Sequence, residues 1–202
     1  MPMQTCPDNH VKVELYLSLG SNQGDRRRNL EDAVSLLNVE LKTPYRTISS
    51  FYETDPWGFE SDEKFINAVV MYELYLPEGY NPEAEGLMIL ETCKDIERRL
   101  GRKGGPDYDE KGERIYSSRP IDIDILLLGD DKIDCPELTV PHKLMYERDF
   151  VMIPFWEIAG QAGDDVPKSG DNVSQAGDDV PQASGDVSQA SDDVPKAGYD
   201  VS

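Results

Sequence analysis

The ten residues RPIDIDILLL, at positions 119–128, restrict the fold more than any other stretch of the chain. Ile121, Ile123, Ile125 and Leu127 alternate as the buried face of a β-strand does, and Asp122 and Asp124 fall side by side on the opposite face. Residues i and i+2 of a strand lie ~7 Å apart at Cα. Two unit negative charges at that separation repel by roughly 2 kcal/mol at an effective dielectric of about 20. Burial of either carboxylate without a partner adds a desolvation penalty. A fold that contains this strand must leave its second face in water or set positive charge before it. Arg119 is near enough in sequence to serve, and a hard divalent cation such as Mg²⁺ chooses carboxylate oxygens. The strand alone leaves both readings open.

The chain carries 40 acidic against 20 basic residues, a net charge of −20 in 202 residues. Such a balance repels a nucleic-acid backbone or an anionic membrane surface, so neither is expected as a partner. A nucleotide escapes that exclusion, because its phosphates can arrive with metal and meet local arginines. There is no run of 18 apolar residues and no signal-peptide core in MPMQTCPDNHVKVEL, so no membrane association is expected. Cys6, Cys93 and Cys135 are odd in number and far apart, which suggests neither a disulfide framework nor a zinc site. A cytoplasmic setting follows.

The character of the sequence changes after Gly160. QAGDDVPKSGDNVS, QAGDDVPQASGDVS and QASDDVPKAGYDVS are three copies of a 14-residue unit that fill 161–202. Val166, Val173, Val180, Val187, Val194 and Val201 recur at every seventh position, yet a coiled coil needs two apolar positions per heptad. Pro167, Pro181 and Pro195 interrupt any helix as well. Nine Asp against two Lys give the segment a net charge of −7, and its apolar content is too small to offset the entropy of ordering. The expectation is a disordered acidic tail at 161–202 behind a domain at 11–160.

Within that domain VKVELYLSL alternates Val11, Val13, Leu15, Leu17 and Leu19 on one face of a strand. A helix should follow the turn GSNQGD, with Leu30, Val34, Leu37 and Leu41 inward. TISSFYET (47–54) and FINAVVMYELYL (65–76) read as second and third strands. A second helix runs from Pro82 to Leu100, stopped by Gly101, with Leu87, Leu90, Cys93 and Leu100 on its buried side. The Asp strand comes next, and PHKLMYERDFVMIPFWEI reads as a connection after it. The order βαββαβ is that of a ferredoxin-like α/β sandwich, an α+β fold with one antiparallel sheet and helices on one face. The other face would stay open for a site.

Three loops carry more chemistry than a connection needs. LGSNQGD (19–25) offers backbone N–H groups near a helix start, either as an anion site or as a capped turn. ETDPWGFESDEKFINA (53–68) displays Trp57, Phe59 and Phe65 beside Thr54 and Asn67, suited to a flat ligand or to packing on the core. GRKGGPDYDEKGERIYSSR (101–119) is long and polar, and it tethers Arg102 and Arg119 beside the Asp pair.

In these segments the chain resembles the 6-hydroxymethyl-7,8-dihydropterin pyrophosphokinases of folate biosynthesis. The matching stretches are LSLGSNQGD, FYETDPWG, FINAVV, IERRLGR, RPIDIDILLL and VPHKLMYERDFVMIPFWEIA, in the expected order. The resemblance implies a ferredoxin-like fold and an enzyme that moves the pyrophosphate of ATP onto the pterin hydroxymethyl oxygen, releasing AMP. It implies two Mg²⁺ ions on Asp122 and Asp124, with Arg102 and Arg119 as catalytic groups on the phosphates. The ATP site would further hold Glu97, Ile125, Thr139, His142 and Arg148. The pterin site would hold Thr54, Asp55, Trp57, Phe65, Asn67, Tyr116 and Phe150, the ring lying between Phe65 and Phe150. A monomer is expected. The chain departs from the family where Tyr116-Ser117-Ser118 replaces a Trp-Gly-Pro before the strand arginine. It departs again where the repeats stand in for a closing C-terminal piece. A nucleotidyltransferase also pairs a Gly-Ser turn with Asp-x-Asp, but at a dozen residues rather than the hundred separating Ser21 from Asp122.

Overall fold

A computed structural model describes residues 9–57, 62–103 and 118–160, together with the backbone of 107–108, 114–115 and 188–189. The elements run β1 (His10–Ser21), α1 (Arg26–Glu40), β2 (Thr47–Ile48), β3 (Tyr52–Thr54), β4 (Phe65–Pro77), α2 (Pro82–Arg99), β5 (Asp107–Tyr108), β6 (Arg114–Ile115) and β7 (Asp122–Leu128). They continue with β8 (Ile133–Asp134), β9 (Thr139–Val140), a 3-10 turn (Met145–Glu147), α3 (Asp149–Ala159) and β10 (Ser188–Gln189). The main sheet is antiparallel, in the order β3-β4-β1-β7. The short β2 also pairs with β4, and β10 pairs with the outer edge of β3. TISSFYET is therefore two short strands rather than one, interrupted at residues 49–51. Apart from β10, the repeat segment lies outside the described residues.

Alternation sorts the side chains of the sheet into two layers. Val13, Leu15, Leu17 and Leu19 of β1 join Ile66, Ala68, Val70 and Tyr72 of β4, Ile123 and Ile125 of β7, and Ile121 just before it, in one core. Leu30, Ala33, Val34 and Leu37 of α1, with Ile89, Cys93 and Ile96 of α2, close that core from above. Asp25 caps α1 by accepting from Arg28 N at 3.1 Å. Asn81 caps α2 by accepting from Ala84 N at 3.1 Å. The buried stripe of α2 is Gly86, Ile89, Cys93, Ile96 and Glu97, not the expected Leu87, Leu90 and Leu100, which are only partly covered. Gly86 turns the helix that way: a Cβ there would stand 2.6 Å from Ile133 Cδ1 and 2.8 Å from Leu138 Cδ2. The helix thus lies flush on the β8–β9 hairpin.

The second face of the sheet is not left bare, which corrects the expectation of helices on one face only. DFVMIPFWEIA forms α3, not a plain connection, and Val151, Phe155, Ile158 and Ala159 pack on Tyr16, Val69, Met71 and Leu126. This is why Phe65–Tyr72 of β4 is buried at every position, as a strand covered on both sides must be. A bulge in β7 supplies part of the second layer. Tyr16 faces Leu127 while Leu17 faces Ile125, so Leu126 is the extra residue and its side chain turns to α3. Leu127, expected in line with the isoleucines, is partly buried on the α3 side, and Leu128 takes the inward place.

One carboxylate fastens α3 to the edge of the sheet. Glu157 accepts from Ser50 N at 3.0 and 2.9 Å, from Ser50 Oγ at 2.8 Å and from Tyr52 OH at 2.9 Å. It thereby also satisfies the backbone where the strand 47–54 breaks. Among the described residues no helix is long and apolar enough to cross a membrane. Hydrogen bonds to a charged acceptor contribute about 1.5–3 kcal/mol, so Glu157→Ala should lower the unfolding free energy by about 2 kcal/mol in urea titrations. A change under about 0.5 kcal/mol would remove this carboxylate as the fastening of α3.

Candidate active site

The part of the second face that α3 leaves uncovered becomes a cleft, and its floor is made of small residues. Across the sheet, Ser18 of β1 stands between Val69 and Asp124, and Gly20 stands between Asn67 and Asp122. A Cβ on Gly20 would lie 2.9 Å from Asn67 Oδ1, so glycine is what lets that amide lie over β1. Asn67 in turn donates from Nδ2 to Thr54 Oγ1 at 2.7 Å. The cleft is lined by Ser18, Gly20, Thr54, Asp55, Trp57, Phe65, Asn67, Arg119, Asp122, Asp124, Arg148 and Phe150 and opens to solvent.

One wall is charged. Arg102 reaches Asp122 Oδ1 at 2.5 Å and Arg119 Nη2 reaches Asp122 Oδ2 at 3.1 Å, so two guanidiniums flank one carboxylate. Arg102 also holds Glu97 at 2.6 Å, and Glu97 accepts from the backbone N–H of Ile123 at 2.8 Å. Glu97, Arg102, Asp122 and Arg119 therefore form a continuous chain of opposite charges, each side chain at most 16% exposed. The Nε of Arg119 is buried without a hydrogen-bond partner among the described residues, an N–H still available to an anion. Burial, with Asp122 as the next contributor, raises the Asp124 carboxyl above the usual range, while His142, Arg148 and Arg119 act against it. Asp124 is thus the group for which an added cation would relieve most. Burial first, then Asp122 and Asp124, hold the Glu97 carboxyl up at about 7, although Arg102 and the Ile123 N–H favour its charged form.

The opposite wall is aromatic. The Arg148 guanidinium lies 4.7 Å from the centroid of the Trp57 ring and 5.7 Å from that of Phe150. Trp57 and Phe150 stand 6.4 Å apart at an interplanar angle of 56°. Phe65 begins β4 opposite Thr54. A flat, hydrogen-bonding ligand would meet ring faces at the sides and the Asn67–Thr54 pair at its edge.

Ten of the residues singled out in the sequence meet around this cleft: Thr54, Asp55, Trp57, Phe65, Asn67, Arg119, Asp122, Asp124, Arg148 and Phe150. Arg102 and Glu97 join through Asp122. His142 precedes the 3-10 turn, its Nδ1 accepting from Leu144 N at 3.3 Å, with its charge felt at Asp124. Thr139 lies on β9, and the Ile125 side chain is buried in the core under the helices, on the other face from the Asp pair. Tyr116 and Phe59 lie outside the described residues. The anion-site reading of LGSNQGD loses to the capped turn, because the Asp25 carboxylate already occupies the start of α1. The motifs do not single out Ser18 and Gly20, although their places on either side of Leu19 mark them as small residues on the open face of β1.

Among the described residues no three His, Cys, Asp or Glu side chains gather into a metal cage. Of the three carboxylates that line the cleft, Asp122 and Asp124 are neighbours on one strand face, while Asp55 pairs with Lys64 at 3.5 Å. A cation held by two carboxylates and completed by ligand oxygens and water is the habit of Mg²⁺, and the donor set fits it.

Comparison with known proteins adds an independent finding. The family model described as 7,8-dihydro-6-hydroxymethylpterin-pyrophosphokinase (HPPK) matches residues 16–160. A 2-amino-4-hydroxy-6-hydroxymethyldihydropteridine pyrophosphokinase of Porphyromonas gingivalis is 41% identical over 154 residues, covering 76% of this chain and 95% of that protein. The protein of the same name from Bacillus subtilis is 39% identical over 146 residues, covering 72% and 78%. A mitochondrial folate synthesis bifunctional protein of Pisum sativum is 33% identical over 165 residues, covering 79% of this chain and 29% of that protein.

The raised Glu97 carboxyl has a consequence for stability. Between its ordinary value of 4.5 and about 7 the folded state keeps a proton that the unfolded chain has lost, so stability falls as pH rises through that window. Urea midpoints of the wild type should therefore drop relative to Glu97→Gln from pH 4.5 to 7 and run parallel above it. Parallel profiles throughout would place the Glu97 proton elsewhere.

Proposed function

The chain belongs to the 7,8-dihydro-6-hydroxymethylpterin-pyrophosphokinase family, and from that premise we propose how its own residues carry the reaction. The enzyme transfers pyrophosphate from ATP to 6-hydroxymethyl-7,8-dihydropterin in folate synthesis, giving the pterin diphosphate and AMP. The hydroxymethyl oxygen bonds to the β-phosphorus, the bond between that phosphorus and the α,β-bridging oxygen breaks, and the hydroxyl proton is lost.

The single observation that carries the residue assignment is the pairing of Asp122 and Asp124 with Arg119 and Arg148 in one cleft beside the Asn67–Thr54 amide pair. Asp122 and Asp124 are the residues that hold two Mg²⁺ ions. When bound, these neutralise phosphate oxygens and favour ionisation of the attacking hydroxyl. Arg102 and Arg119 hold Asp122 in the ligand-free site, and the same guanidiniums turn to phosphate oxygens as the nucleotide enters. Arg148, with its plane over Trp57, stands between the aromatic wall and the acidic pair, where it meets both substrates. His142 faces the phosphates from beside Asp124. Glu97 keeps Arg102 aimed at the site through their 2.6 Å contact. It borders the nucleotide with Thr139 and the backbone of Ile125.

The pterin lies with its ring between Phe65 and Phe150 and with Trp57 above it. Its amide edge reads the amide of Asn67, which can donate and accept at once. Thr54 holds Asn67, and Asp55 lines the same cleft. Phosphoryl transfer needs positioning and charge more than covalent help, and the cleft supplies those two things. The strand order β3-β4-β1-β7, with α1 and α2 on one face, supports a ferredoxin-like reading of the fold. The reading takes the enzyme to act as a monomer in the cytoplasm. In this reading the acidic repeats at 161–202 carry none of the assigned groups.

Two assays test it. Asp122→Ala or Asp124→Ala should abolish AMP release that depends on both Mg²⁺ and the pterin, by at least about 10³-fold, with far-UV circular dichroism unchanged. Full turnover in either variant would remove the metal assignment. Deletion of residues 161–202 should leave turnover within about twofold, since none of the assigned groups lies there; a large loss would make the repeats part of the site.

A further inference from the structure

We infer that Asn22 is a positioning residue for Arg119, holding the arginine segment at the rim of the cleft for the transfer described above. The inference rests on that functional reading and adds to it a residue whose side chain does not line the cleft.

Asn22 is 1% exposed, and its side-chain amide and backbone N–H all face one segment. Its Oδ1 accepts from Arg119 N at 2.7 Å, its Nδ2 donates to Ser118 Oγ at 2.9 Å, and its own backbone N–H donates to Arg119 O at 3.2 Å. The need for such a clamp follows from the sheet. The β1–β7 ladder ends at the Gly20–Asp122 pair, and Pro120 just beyond has no N–H with which to extend it. Without another acceptor, the N–H of Arg119 would be left unpaired next to a buried loop, at the cost of its desolvation. The side-chain amide accepts from the Arg119 N–H and donates to Ser118 at once, through two separate atoms.

The loop that carries Asn22 is itself anchored. Ser21 is fully buried, and Asn29 of α1 donates to Ser21 Oγ at 3.1 Å and to Gln23 O at 2.8 Å. The clamp thus transmits the rigidity of β1 and α1 to the last two residues of a long polar loop. The Arg119 guanidinium then starts from a fixed Cα, within 3.1 Å of Asp122 and with its Nε turned into a buried place beside the cleft. Misplacing such a group by an ångström costs on the order of 10²-fold in rate.

The test is a double-mutant cycle on pterin-dependent AMP formation. Asn22→Ala should lower kcat by about 30- to 100-fold, with the KM of each substrate changed by less than about threefold, because Arg119 acts on charge that develops in the transition state. In an Arg119→Ala background the same substitution should cost no more than about twofold, since the group it positions is gone. Asn22→Asp, whose two oxygens can accept from the Arg119 N–H and the Ser118 hydroxyl, should recover at least about tenfold over alanine. If Asn22→Ala does not fold, Ser118→Ala removes one arm of the clamp from outside the core; it should lower kcat severalfold and be equally silent without Arg119. Equal losses with and without Arg119, or undiminished kcat in Asn22→Ala or Ser118→Ala, would overturn the inference while leaving the enzyme's function standing. An inactive wild type would overturn both.

Discussion

The neighbouring carboxylates of Asp122 and Asp124, on the cleft face of an edge strand, are the constraint around which the rest is arranged. They repel one another, and burial makes ionisation of Asp124 harder still. The chain answers with guanidiniums from three directions: Arg102 from the end of α2, Arg119 from just before β7, and Arg148 from the start of α3. An acidic pair so surrounded is poised for phosphate and metal together, because each can take over partners that the other releases. A protein of net charge −20 thereby gathers positive charge at one place without becoming a general anion binder.

The geometry of the sheet decides where that place can be. α3 covers Tyr16, Val69, Met71 and Leu126, so the second face is closed over half its length. Over the other half β1 presents Ser18 and Gly20, and there is no side chain long enough to fill the gap between β4 and β7. The bulge at Leu126 lies at the border between the halves. It lets one strand offer aspartates to the cleft at its beginning and a leucine to α3 near its end. Packing and chemistry therefore share a face without competing for the same positions.

Much of this was legible in the sequence because strict alternation carries a face label for every residue. VKVELYLSL and RPIDIDI yield their buried sides from Val13 onward, Val11 at the strand's start being exposed, and the two Asp residues follow as the exceptions that demand a partner. Legibility failed where a local feature resets the period. The extra residue at Leu126 exchanges the roles of Leu127 and Leu128, and nothing in a run of three leucines marks it. On α2 the leucines misled, since the stripe is set by the contact of Gly86 with Ile133 and Leu138, 47 and 52 residues away in sequence. DFVMIPFWEIA is apolar nearly all round with Pro154 inside, so it shows no helical stripe; only the uncovered apolar side of the sheet reveals why a helix is needed. The cleft residues were readable as motifs, yet the clamp at Asn22 was not, because its partners lie about a hundred residues on.

The account stands on divalent cations bound by the acidic pair, and a crystal of the enzyme with Mn²⁺ and a non-hydrolysable ATP analogue tests it most directly. Anomalous scattering should locate two ions, both within coordination distance of Asp122 and Asp124, with Arg102 and Arg119 moved from Asp122 onto phosphate oxygens. A nucleotide bound in the cleft with no ion on either carboxylate, and with both arginines still on Asp122, would contradict it.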